Sequence, residues 1–67
     1  MIVLTREREA VGWTRFRLGS EARIHPARVG QFENLKAQPY PPELQRLADA
    51  LRFRGEPAAL LEKVDYP

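Results

Sequence analysis

The chain has no cysteine, which excludes a disulfide and any thiolate metal site. Its one histidine, His25, cannot build a zinc centre alone. Ser20 is the only serine, and no serine–histidine–acid set for nucleophilic catalysis emerges. No glycine-rich phosphate loop occurs, and no carboxylate cluster has metal-ligand spacing. The chain is also short for a sizeable pocket. Neither enzymatic activity nor a cofactor or metal is therefore expected. No run of about 18 apolar residues exists, so no membrane span is expected. Residues 1–4 are apolar but lack the charged and cleavage regions of a signal peptide. The expected location is the cytoplasm.

What is present is one small domain of 67 residues. A domain of this size buries only about 60% of its unfolded surface. Its stability must come from helix packing, with or without help from a second copy. Net charge is +2, and its distribution is uneven. Residues 13–40 carry Arg15, Arg17, Arg23, Arg28 and Lys36 against Glu21 and Glu33, a balance of +3. Residues 1–12 balance to zero and residues 41–67 to −1. The positive excess therefore sits on the middle segment, where a polyanion would dock.

That middle segment organises the chain. Its apolar residues are Phe16, Leu18, Ala22, Ile24, Val29 and Phe32. Leu18 and Ala22 are i,i+4, and Val29 and Phe32 are i,i+3, each one face of a short helix. Proline suits the first turn of a helix and not its interior, so Pro26 reads as the start of the second of these. Too few residues remain between them for anything but a sharp corner. This is the layout of a helix-turn-helix. The runs Thr14-Arg15-Phe16-Arg17-Leu18, His25-Pro26-Ala27-Arg28-Val29, Phe32-Glu33-Asn34 and Leu47-Ala48-Asp49-Ala50-Leu51 resemble the Cro and lambda-repressor type, also called the xenobiotic-response-element type. The resemblance covers residues 4–61. It implies an all-α, five-helix lambda-repressor-like domain, and helices are expected at about 2–11, 15–22, 26–34, 42–52 and 57–63.

In the first helix, Leu4 and Val11 are i,i+7 with Arg8 on the same face, and Gly12 ends it. Trp13 is expected to plug the core. An arginine on an apolar stripe is expensive without a partner. The family resemblance pairs Arg8 with Glu33 in a partly buried structural ion pair. Thr14 is a good N-cap for the second helix, whose free N–H groups suit a phosphate. Gly19 stands where the family carries a small residue, usually alanine, at a close helix crossing. Arg23 stands where many members have glycine with positive φ, so either strain is tolerated there or the turn differs.

The third helix is the expected recognition helix. Val29 and Phe32 face inward, and Ala27, Gly30, Gln31 and Asn34 outward, with Arg28 on the flank. A face meant only for water would be rich in Lys, Glu and Arg. Small residues instead let the backbone approach the floor of the major groove. Pro26, Ala27, Arg28, Gly30 and Gln31 are the expected base-contacting set. Gln31 suits adenine, Ala27 a thymine methyl, and Arg28 a guanine edge or a phosphate. The expected phosphate contacts are Thr14, Arg15, Asn34 and Lys36. His25 occupies the N-cap slot as a poor cap or a backbone contact. Leu35 replaces the family's helix-ending glycine, and Asn34 is expected to take the left-handed position.

Residues 36–42 form a loop by their prolines. Pro42 and Glu43 open the fourth helix. There Leu44, Leu47, Ala48 and Leu51 at i, i+3, i+4 and i+7 mark a core face. Phe53 is expected to return to the core from the linker that follows. Leu60, Leu61 and Val64 either close the monomer's core or supply the two-fold dimer contact seen in the family. Residues 65–67 read as a loose end. The functional expectation is a sequence-specific double-stranded DNA-binding protein, a small transcriptional regulator acting as a homodimer. The alternative is a protein-interaction module of the same fold, antitoxin-like or binding polymerase or another regulator. Its support is the sparse set of reading side chains.

Overall fold

In the computed structural model, which describes residues 1–64, four α-helices are followed by a 3-10 helix. They are α1 (Val3–Ala10), α2 (Arg15–Ala22), α3 (Pro26–Glu33), α4 (Pro41–Leu51) and the 3-10 helix Pro57–Leu61. Among the described residues there is no strand, only an isolated antiparallel bridge between Ile2 and Lys63. The loose end expected at residues 65–67 lies outside the described residues. Among the described residues no helix is long and apolar enough to cross a membrane.

Helix α1 has no side chain capping its start. A helix leaves its first N–H groups without internal partners, and here the N–H of Val3 donates to the carbonyl of Glu62 at 2.8 Å. A second bond, from the N–H of Val64 to the carbonyl of Met1, closes the same clasp. Ile2, Val3 and Leu4 are buried on this side. Val11 does not join Leu4 on the buried face: it is exposed. The helix stops at Ala10, and Val11 sits in the closing turn.

All four helices end the same way. A residue at the C-cap or just after it takes positive φ, and two N–H groups fold back on the last carbonyls in the Schellman pattern. The left-handed residues are Gly12, Arg23, Leu35 and Arg52. Their back-bonds include Trp13 N–H to Arg8 carbonyl (3.1 Å), Ile24 N–H to Gly19 carbonyl (2.8 Å), Lys36 N–H to Gln31 carbonyl (2.8 Å) and Phe53 N–H to Ala48 carbonyl (2.9 Å). Arg23 therefore tolerates the strain. Asn34, expected in the left-handed position, has φ −91°, and Leu35 takes it instead. Helix α3 ends at Glu33 with Asn34 as its cap, and the left-handed step falls one residue later than expected.

The helices close around Leu4, Leu18, Val29, Phe32, Leu47 and Leu60, all fully buried. Helix α2 packs on α3 and α4, while α1 and α4 both pack on the 3-10 helix. Gly19 is where α2 meets the start of α3. A Cβ there would lie 2.5 Å from the carbonyl oxygen of Ile24 and 3.2 Å from the nitrogen of Pro26. Even an alanine methyl would force the backbone apart. Arg46 ties α4 to α2, donating from Nε to the carbonyl of Ala22 at 2.9 Å.

The packing of Trp13 and the last helix differ from expectation, and Phe16 stands outside the core. Trp13 is half-buried at the edge of the core, with the Arg17 guanidinium 5.1 Å from its ring centre. Phe16 is 71% exposed, because it points outward from the first turn of α2 while Leu18 takes the inward slot. The expected helix over residues 57–63 is a 3-10 helix of five residues. Glu62 is already extended, since its carbonyl serves Val3. Leu60 is wholly enclosed by its own chain and offers no surface to a second copy. Leu61 and Val64 are partly buried against the same core.

Candidate nucleic-acid interface

The site is built on α3 and the start of α2. Helix α3 begins at Pro26, whose fixed φ suits the first turn. His25 caps it: its Nδ1 accepts from the N–H of Ala27 at 3.0 Å. Val29 and Phe32 are buried, which fixes the rotation of the helix. Ala27, Gln31 and Asn34, at i, i+4 and i+7, then form one exposed stripe. Pro26, Arg28 and Gly30 are half-buried along it.

Helix α2 brings its N-terminus beside this stripe. Thr14 caps α2, its Oγ1 accepting from the N–H of Arg17 at 3.0 Å. Arg15 crosses Gly30, with Nη1 3.4 Å from where a Cβ would stand. A side chain at Gly30 would therefore press on Arg15. The far end of the stripe carries Lys36, which is exposed. Lys36 and Arg23 have no ion-pair partner among the described residues.

Arg8, Arg15, Arg17 and Arg28, by contrast, are held by acids. Among the described residues, Glu33 is the one buried charged residue. It accepts from Arg8 through Nε (2.7 Å) and Nη2 (3.0 Å), and from Arg15 Nε at 3.0 Å. Arg8 also donates from Nη1 to the carbonyl of Trp13 at 2.7 Å. These bonds to Glu33 raise the pKa of the Arg8 guanidinium, so it stays charged. Arg15 lies at the site, with its Nε edge turned toward Glu33 and its side chain still partly exposed. Arg17 pairs with Glu21 one turn along α2.

Arg28 is held most firmly. Its Nε donates to Glu43 Oε2 at 3.1 Å and its Nη2 to Oε1 at 2.7 Å. Its guanidinium lies 5.0 Å from the Phe32 ring centre and 5.6 Å from that of Tyr40. The hydrogen bonds from Arg28, helped by the Tyr40 N–H, hold the Glu43 carboxyl below its ordinary range. They also raise the pKa of Arg28. Sequence reasoning assigned Glu43 only to the opening turn of α4. It does accept from the N–H of Tyr40 at 2.9 Å, but its second role was invisible, because Arg28 lies on another helix. The exposure of Phe16 beside Arg15 was missed too.

The arrangement offers an amide and small apolar groups in the middle, with cationic and N–H donors at both ends. Among the described residues no group of three or more His, Cys, Asp or Glu side chains could hold a metal ion. The chain matches no family model, no curated protein and no solved structure.

Proposed function

We propose that this chain is a small transcription regulator of the Cro and lambda-repressor type. It binds double-stranded DNA, with α3 as the recognition helix of a helix-turn-helix, and acts as a homodimer. The observation that carries this reading is the exposed stripe of Ala27, Gln31 and Asn34 beside the capped start of α2. A solvent face has no need of that composition, whereas a helix entering a groove does. The order of four α-helices with a 3-10 helix in the fifth place also favours this fold.

In this reading Gln31 contacts adenine and Ala27 packs on a thymine methyl. Thr14, Arg15 and the first N–H groups of α2 hold one phosphate run, and Asn34 and Lys36 another. Two copies occupy half-sites about 34 Å apart, one turn of the duplex. With Leu60 enclosed, any two-fold contact involves Leu61, Val64 or another surface.

The test is binding to labelled duplexes at two salt concentrations. Lys36→Ala should weaken all sequences alike and flatten the salt slope by about 0.9. Gln31→Ala should relax preference at one position and leave the slope intact. Equal effects of both on every sequence would refute these roles. Absence of salt-sensitive binding would refute DNA recognition and favour a protein partner.

A further inference from the structure

Arg28 lies on the flank of α3, where the sequence suggests a guanine edge or a phosphate as its target, but its side chain is committed elsewhere. Glu43 takes its Nε/Nη2 edge in a two-bond fork of 3.1 and 2.7 Å. The rings of Phe32 and Tyr40 lie 5.0 and 5.6 Å from its guanidinium carbon. Glu43 is itself anchored, since it sits in the first turn of α4 and accepts the Tyr40 N–H at 2.9 Å. The guanidinium is therefore turned toward α4, away from the stripe of Ala27, Gln31 and Asn34, and its charge is matched. Arg15, the other arginine at this face, has its Nε edge held by Glu33, so it offers no free Nε/Nη fork to a base.

Guanine is read best by an arginine fork on O6 and N7. An arginine already forked to a carboxylate must give up those bonds first. We infer that Glu43 sets the base preference of the interface: it holds Arg28 off the DNA, so that Gln31 and Ala27 are the readers and A·T pairs fill the centre of each half-site. An amide matches adenine N6 and N7, and a methyl matches the thymine C5-methyl. Glu43 acts here as a positioning residue, and the inference rests on the DNA-binding proposal.

The experiment is selection from a randomised duplex library with the wild type, Glu43→Gln, Arg28→Met and the double variant. Glutamine keeps the shape of the side chain and can still accept the Tyr40 N–H, but lacks the charge. Methionine keeps an unbranched stem over Phe32. The wild type should enrich A·T pairs at the centre of each half-site, and Arg28→Met should enrich the same motif. Glu43→Gln should admit guanine at a neighbouring position, with affinity for that duplex rising about tenfold. The double variant should lose that gain. A wild-type motif containing a guanine that Arg28→Met abolishes would overturn the inference. So would a Glu43→Gln motif identical to the wild type's. Duplex retention with no motif would overturn the base preference and leave electrostatic DNA binding standing. No retention of any duplex at low salt would overturn the DNA-binding proposal and this inference with it.

Discussion

Glu33 shows how one residue can fix three elements. Its side chain is 1% exposed, and a buried carboxylate persists only with partners. Arg8 from α1 and Arg15 from α2 supply them. Arg8→Met should therefore lower stability by about 3 kcal/mol, tempered by the surviving Arg15 bond. For a domain this small, the melting midpoint should fall by more than about 10 °C. Thermal unfolding followed by circular dichroism would check this, and an unchanged midpoint would contradict it. The partnership of Arg8 and Glu33 was legible in the sequence because an arginine on an apolar stripe demands an acid, and the family resemblance named one. Arg28 was not legible in the same way. Nothing in its spacing distinguishes a reader of DNA from a partner of Glu43, since the acid arrives from a helix that folds back across it.

At the scale of the element, the helix ends carry the strain. Three of the four left-handed positions are held by residues with a Cβ, namely Arg23, Leu35 and Arg52, each at a cost of roughly 1 kcal/mol. Arg52 is exposed, and its side chain has no hydrogen-bond or ion-pair partner among the described residues. Arg52→Gly should stabilise the fold by about 0.5–1 kcal/mol, since glycine adopts this conformation freely. Chemical denaturation would measure it, and a loss of stability would show that Arg52 makes a contact in solution.

Helix α4 also carries a pH-dependent element. Arg28, then the Tyr40 N–H and nearby Arg46, hold the Glu43 carboxyl below the usual 4.5. A lowered folded pKa means stability that is complete above the ordinary carboxylate range and lost as pH falls through the folded value. The wild type should therefore lose more stability than Glu43→Gln as pH drops below about 4.5. Parallel pH profiles for the two proteins would contradict the pairing.

For the molecule as a whole, the periodic helices could be read from sequence and the closure of the chain could not. The apolar spacing of α4, the proline starts of α3 and α4, and the glycine after α1 are local signals, and the helix ends lie within one residue of where those signals put them. The backbone clasp that joins Val3 to Glu62 and Met1 to Val64 has no periodic signature. It holds residues 62–64 extended, which is why the last helix is a short 3-10 turn. It also explains why Leu60 belongs to the monomer's own core. Phe16, Leu35 and Tyr40 remain exposed apolar side chains, and they flank the face proposed to meet DNA.

The proposal that the α2–α3 face docks on duplex DNA is tested most directly by amide chemical shifts. A 15N-labelled sample would be titrated with a duplex carrying the selected motif at low salt. The expected result is movement of the amides of residues 14–17 and 27–36, with those of α1 and the 3-10 helix unmoved. Shifts confined to α1 and the 3-10 helix, or none at any DNA concentration, would contradict it.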